Sequence, residues 1–243
     1  MLRPTKRLQL GSEIVFGAGI AAKLESKGSD GISEISFAED DDLLGRLAEI
    51  GQTPLPPYIH AALSDGERYQ TVYGTEAGSS AAPTAGLHFT LSLLDQCREK
   101  GVKIAWVTLH VGIDTFRPIT VENLEDHVMH GETCEVPKET ADAIHACRGR
   151  VIAVGTTSVR TLETFATGPR QIKAGSTVST LFIRPGYEFK IVDGIFTNFH
   201  FPRTTLMAMI SAFAGRERVL EAYQTAVLSQ YRFLSFGDSM LIL

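Results

Sequence analysis

At 243 residues, with 44% apolar and 21% charged side chains, the chain has ordinary globular composition and length for one large or two modest domains. A formal net charge of -5 excludes a nucleic-acid binder that works by overall charge, so any such contact must come from a local basic patch. Cys97, Cys134 and Cys147 form no close CxxC pair, which excludes a disulfide framework and a zinc knuckle, and no apolar run has the length of a signal peptide or a membrane span. A soluble, untargeted cytoplasmic protein without membrane contact is expected.

From Arg7 to Phe37 the apolar stretches Ile14 to Phe16 and Ile32 to Phe37 alternate with Gly and Ser, predicting small antiparallel strands joined by tight turns. Asp40 to Ile50 sets leucines at 43, 44 and 47 behind an acidic start, the pattern of a short helix. Thr53-Pro-Leu-Pro-Pro-Tyr58 then places three prolines in four positions, which no central strand or helix interior accepts. The spacing predicts a domain boundary here, separating residues 1–53 from 54–243.

Beyond it, helices and strands alternate. A helix near Thr90 to Lys100 precedes a strand Val102 to His110 and an extended Glu132 to Pro137. A helix Lys138 to Cys147, a strand Val151 to Gly155 and a helix from about Thr157 follow. Strands are predicted at Thr180 to Arg184 and Phe189 to Phe199, helices at Pro202 to Ala214 and Glu217 to Ser229, and a last strand near Arg232 to Phe236. This alternation predicts an α/β domain with a substantially parallel or mixed sheet.

Five polar segments stand beside predicted strand ends. In Val151 to Thr161 a buried-strand run ends at Gly155, and the Thr156, Thr157 and Ser158 hydroxyls with free backbone N–H groups can hold an anion or carboxylate, or simply cap the helix. Arg160 nearby offers a bidentate anion ligand. There is no G-x-G-x-x-G, which argues against a Rossmann methyltransferase. Ala81 to Phe89 is a small-residue run whose Gly86 permits close approach of a ligand to backbone, while His88 has a structural reading beside a catalytic one. His110 to Pro118 holds His, Asp114 and Arg117 at a strand end, where open α/β sheets place ligands. His130 and Glu132 add an imidazole and a carboxylate without metal-ligand spacing, so no metal is expected. Thr197 to Thr205 carries Asn198, His200, Phe201 and Arg203, with Pro202 near the first turn of a helix. Tyr231 to Asp238 is the fifth. A basic patch has candidates in Arg150, Arg160, Arg170, Lys173, Arg184, Lys190 and Arg203, which read equally as solvated surface.

The strings Tyr69 to Phe89, Leu109 to Ile119, Arg150 to Thr164, Thr197 to Glu217 and Tyr231 to Ile242 together resemble the S-adenosylmethionine:tRNA ribosyltransferase-isomerase family of queuosine biosynthesis, in collinear order from about Pro54 onward. Leu2 to Phe16 resembles strands of the family's smaller domain. The resemblance implies a large α/β domain with a mixed sheet plus part of a small antiparallel β-barrel domain. It also implies transfer of the ribosyl part of S-adenosylmethionine to a tRNA carrying 7-aminomethyl-7-deazaguanine at the wobble position, giving epoxyqueuosine with release of adenine and methionine. No separate cofactor is expected, since S-adenosylmethionine is consumed, and a monomer is expected. A non-catalytic tRNA-binding remnant and a methyltransferase using the same donor are the other readings. The chain departs from the family's pattern in starting downstream of its usual beginning and at Thr75, Gly131, Cys134 and Thr180.

On the matching segments, His88, His110 and His200 are candidates for proton transfer, and Asp114 and Asp238 for offsetting the sulfonium or binding ribose. Thr156, Thr157, Ser158 and Arg160 would hold the methionine carboxylate or a phosphate, Arg117 and Arg203 phosphate, and Phe199 or Phe201 a stacked base. Thr84, Gly86, Phe89, His130, Glu132 and Asn198 complete the expected substrate-binding set.

Overall fold

The structure is a computed structural model and describes residues 7–28, 32–52, 54–56, 58–60, 63, 65–76, 78–112, 119–129 and 131–243. Two compact units emerge, Met1–Thr53 and Pro54–Leu243.

In the first unit, β1 (Glu13–Val15), β2 (Ala21–Lys27) and β3 (Ser33–Phe37) form an antiparallel sheet in the order β1-β2-β3. The turn between β1 and β2 is tight: Val15 pairs with Ala21, and Ala18 adopts φ 55° to close it. Ile20, Ala22 and Leu24 alternate with more exposed neighbours and are buried, the period-two pattern of a half-buried strand. α1 (Leu43–Ile50) follows Asp42, and Arg46 bonds to Asp40.

The second unit contains α2 (Leu91–Glu99), β4 (Thr108–Leu109), β5 (Glu132–Val136) and α3 (Lys138–Ala146). Then come β6 (Ile152–Val154), α4 (Thr156–Thr164), and the β7 (Ala166–Gly168) to β8 (Gln171–Ile172) hairpin. β9 (Gly175–Ser179), β10 (Gly194–Asn198), α5 (Thr205–Ala214), α6 (Arg216–Leu228) and β11 (Ser239–Ile242) complete it. Among the described residues the strands divide into small sheets rather than one continuous mixed sheet. One has the order β11-β10-β6, with β10 parallel to β6 and antiparallel to β11. Another, β4-β5-β9, is antiparallel. Val136, Val159, Leu162, Phe165, Ile183, Ile191 and Ile195 pack together as the core between these sheets and α4.

Several elements differ from the sequence expectation. The strand expected over Val102 to His110 shrinks to Thr108–Leu109, because, among the described residues, 102–107 bond to no neighbouring strand. The strand expected at Thr180 to Arg184 lies instead at Gly175–Ser179, where the β5 edge supplies its partners; Ile183 is buried without a ladder. Arg232 to Phe236 is a turn tied by Asp238, whose carboxylate accepts from Arg232 N at 2.7 Å, and the last strand starts at Ser239. α5 starts at Thr205, after Pro202: Thr204 is its N-cap, accepting from Met207 N at 3.2 Å.

Candidate functional site

β6 and β10 run parallel, so both present carboxyl ends at the same edge, and each continues into a turn before a helix. Ligands of open α/β sheets collect at such edges. Here the edge opens into a cavity of about 580 Å³ lined by residues 82–85, 155–157, 197–202, 204 and 234–235, among others.

Gly155 ends β6 with φ 88°, a backbone region that costs other residues strain, and the Cβ it lacks would lie 3.7 Å from Ala85. Thr156 and Thr157 open α4 directly into the cavity. Their hydroxyls make no hydrogen bond among the described residues, and the helix start supplies free N–H groups; a carboxylate or phosphate suits that set. Ser158 is turned away: its hydroxyl donates to Val154 O at 2.8 Å.

On the β10 side, Asn198 Nδ2 donates to Thr84 Oγ1 at 3.0 Å, and its Oδ1 lies 2.9 Å from His88 Nε2, an arrangement that calls for the Nε2-protonated tautomer. Thr84 and Asn198 line the cavity; His88 stands behind Asn198, edge-on to Phe196. His200 does line the cavity. Its Nε2 is 2.9 Å from Thr197 Oγ1 and its backbone N–H donates to Tyr223 Oη at 2.8 Å. Burial of the ring pushes its pKa down to about 4, so the imidazole is neutral at pH 7. Arg203 (φ 55°) and Leu234 (φ 73°) hold left-handed backbone in loops whose residues Pro202, Thr204, Leu234 and Ser235 line the cavity. Non-glycine strain of this kind collects where loop geometry is fixed for a site.

A second cavity, of about 500 Å³, shares Thr156, Thr157 and Leu206 with the first and includes Gly112, His127, Glu132 and Arg160 in its lining. Arg160 was expected as an anion ligand and Glu132 as a substrate contact, but the structure commits them to each other. Arg160 Nη1 meets Glu132 Oε2 at 2.6 Å, Nη2 donates to Ser179 O at 2.7 Å, and Glu132 Oε1 accepts from Gly112 N at 2.8 Å. Both side chains are under 10% exposed, at 7% and 5%. The pair thus anchors α4 to β5, and Arg160 is withdrawn from the basic patch.

Other expected residues lie elsewhere. Gly86 admits the protein's own Tyr73 hydroxyl and Thr71 Cγ2, the latter 2.7 Å from where a Cβ would sit, rather than a ligand. Phe89 packs edge-on against Phe196 at 5.1 Å. His110 lines neither cavity, and its backbone N–H donates to Thr133 O at 2.9 Å. Phe199 is buried at 5% exposure, which leaves Phe201, 47% exposed, as the aromatic able to stack. Asp238 is held below the usual carboxylate range by its hydrogen bond to Arg232. Asp114, Arg117 and His130 lie outside the described residues. Among the described residues no group of three His, Cys, Asp or Glu side chains could hold a metal ion, and no helix is long and apolar enough to cross a membrane.

Sequence reasoning missed Tyr58 and Ser235, which meet across the cavity lining at 2.5 Å between hydroxyls, and Tyr223, which fixes the His200 backbone. Tyr58 closes the proline segment expected as a domain boundary; its partner stands 177 positions away, beyond any local signal.

Fold and site define an α/β protein with a cavity bounded by strand-to-helix turns at the carboxyl edge of a parallel strand pair. The profile of the queuosine biosynthesis protein family matches residues 1–242. The chain is 52% identical over 251 aligned residues to the S-adenosylmethionine:tRNA ribosyltransferase-isomerase of Moorella thermoacetica, an alignment covering 100% of this chain and 72% of that protein. It is also similar to the crystal structure of S-adenosylmethionine tRNA ribosyltransferase from Thermotoga maritima, with a TM-score of 0.53 and 37% identity, covering 100% of this chain and 69% of that one. This chain belongs to the queuosine biosynthesis family.

Proposed function

We propose that the chain transfers and isomerises the ribosyl moiety of S-adenosylmethionine onto 7-aminomethyl-7-deazaguanine at the tRNA wobble position, giving epoxyqueuosine and releasing adenine and methionine. One observation carries this reading: segments that match the family, residues 82–85, 155–157, 197–202 and 204, converge on a single cavity at the carboxyl edge of β6 and β10. In this reading the Pro54–Leu243 unit is the catalytic α/β domain and the Met1–Thr53 unit is part of a small antiparallel β-barrel domain. The donor is consumed as a substrate, so no separate cofactor takes part; the protein acts as a monomer in the cytoplasm.

The sulfonium acidifies the adjacent C5′ hydrogens of the donor, adenine leaves once its ring nitrogen is protonated, the tRNA amine attacks the ribose, and epoxide closure expels methionine as a neutral thioether. Thr156, Thr157 and the N–H groups of the α4 start hold the methionine carboxylate. His200, neutral and oriented by Thr197 and Tyr223, offers a lone pair to a substrate proton in a desolvated setting. His88 is a positioning residue that orients the Asn198 amide.

Purified chain mixed with substrate tRNA and labelled S-adenosylmethionine should release adenine and methionine and leave label on the tRNA. Release of S-adenosylhomocysteine would instead mark a methyltransferase. Binding of the tRNA with no turnover would mark a non-catalytic remnant.

A further inference from the structure

The cavity mouth carries side chains that the chemistry inside it does not use. Phe201 is 47% exposed and packs edge-on against Tyr58, with ring centroids 5.4 Å apart. Tyr58 reaches Ser235, and the next residue, Phe236, is 37% exposed with the Arg68 guanidinium 6.0 Å from its ring centroid. Arg203 follows Phe201 by two positions, is exposed, and makes no ion pair among the described residues. Arg232, in the same turn as Phe236, is exposed and shares Asp238 with its own backbone. Exposed rings and guanidiniums thus neighbour the cavity lining in a chain whose net charge is -5: Phe201 lines it, Arg203 stands between the lining residues Pro202 and Thr204, and Phe236 follows Ser235. A protein partner would be met by an apolar patch; here Phe236 stands beside the Arg68 guanidinium, and Phe201 is followed two positions on by Arg203.

Unpaired nucleotides have the matching chemistry. A splayed base offers a face to an aromatic ring or a guanidinium plane, and its phosphate offers charge to the neighbouring arginine. A base reaching into the cavity must have its flanking nucleotides at the mouth. The geometry points to the rim of Phe201, Phe236, Arg68 and Arg203 as the docking surface for the single-stranded loop nucleotides on either side of the modified base. This rests on the proposed function and assigns the surface that takes the RNA.

The test is fluorescence anisotropy of a labelled RNA stem-loop, with a fully paired duplex of equal length as comparison. Phe201→Ala should weaken stem-loop binding by about tenfold, and Phe201→Trp should restore it. Arg203 has φ 55°, so its cation is best removed by Asn, which tolerates that backbone. Arg68→Ala with Arg203→Asn should lower the slope of log affinity against log salt by about 1.4, at about 0.7 per phosphate on single strands. Exposed Arg148 and Lys100, replaced by Ala, serve as controls. Stem-loop affinity unchanged within about twofold in the folded rim variants would overturn the assignment, as would equal losses on the duplex or in the controls. Dimerisation abolished by the rim variants at unchanged RNA affinity would overturn it in favour of a second copy. If the parent binds the stem-loop through the rim yet releases no adenine, the surface stands and the catalytic reading fails. If it turns over and the rim variants keep the parent KM for tRNA, the surface fails and the catalytic reading stands.

Discussion

Glu163 is 4% exposed on α4, and its carboxylate accepts four hydrogen bonds from the segment that leads into β10. Oε1 takes Ile191 N and Val192 N, both at 3.0 Å; Oε2 takes Lys190 N at 3.0 Å and Tyr187 Oη at 3.1 Å. Replacing it by Gln keeps one oxygen and turns an amide toward two donors. The Tyr187 hydroxyl can rotate to accept, but the Lys190 N–H cannot. One charge-assisted bond is lost, about 1.5–3 kcal/mol, and the remaining ones weaken as the charge goes, so Glu163→Gln should destabilise by about 2–4 kcal/mol. Urea unfolding followed by the fluorescence of Trp106, the single tryptophan, reports on the Pro54–Leu243 unit. With a slope of about 2 kcal/mol/M the midpoint should fall by about 1–2 M. A shift below about 0.25 M would refute the reasoning, because it would mean that water replaces the carboxylate at little cost.

The His200 ring is protonated near pH 6.5 when unfolded but only near about 4 in the fold, so the unfolded chain binds the extra proton first. Stability should therefore fall as pH drops from about 6.5 toward about 4, by up to about 3 kcal/mol, and His200→Phe should flatten that limb of the urea midpoint against pH. Breaking the buried pair with Glu132→Gln or Arg160→Met should each cost about 3–5 kcal/mol, while the double variant should cost less than the sum, read in a double-mutant cycle of unfolding free energies. Thr157→Val keeps the shape of the helix start and removes a hydroxyl from the cavity wall; KM for S-adenosylmethionine should rise about tenfold with the urea midpoint unchanged.

The pieces legible in the sequence were those fixed by local chemistry. The run Val151 to Thr161 read correctly as strand, glycine turn and helix, since Gly155 and the hydroxyl residues after it suit few other conformations. Lys138 to Cys147 and Glu217 to Ser229 read closely as helices for the same reason. What failed depended on distant partners. Gly175 to Ser179 has little strand character, and only the β5 edge makes it a strand; Leu181 to Ile183 has the apolar look of one and has no ladder. Arg160 looked like an anion ligand because its distance from the helix start is right. Its face of α4 points inward to a carboxylate 28 positions upstream, and nothing local shows that. Phe199 and Phe201 are neighbours of the same type, and only the packed fold separates the core ring from the free one.

Thr156, Thr157 and Leu206 belong to the lining of both cavities. A guest in either cavity leans on the same three side chains and narrows the rotamers left for the other. Filling one cavity should thus be felt in the other without any movement of backbone.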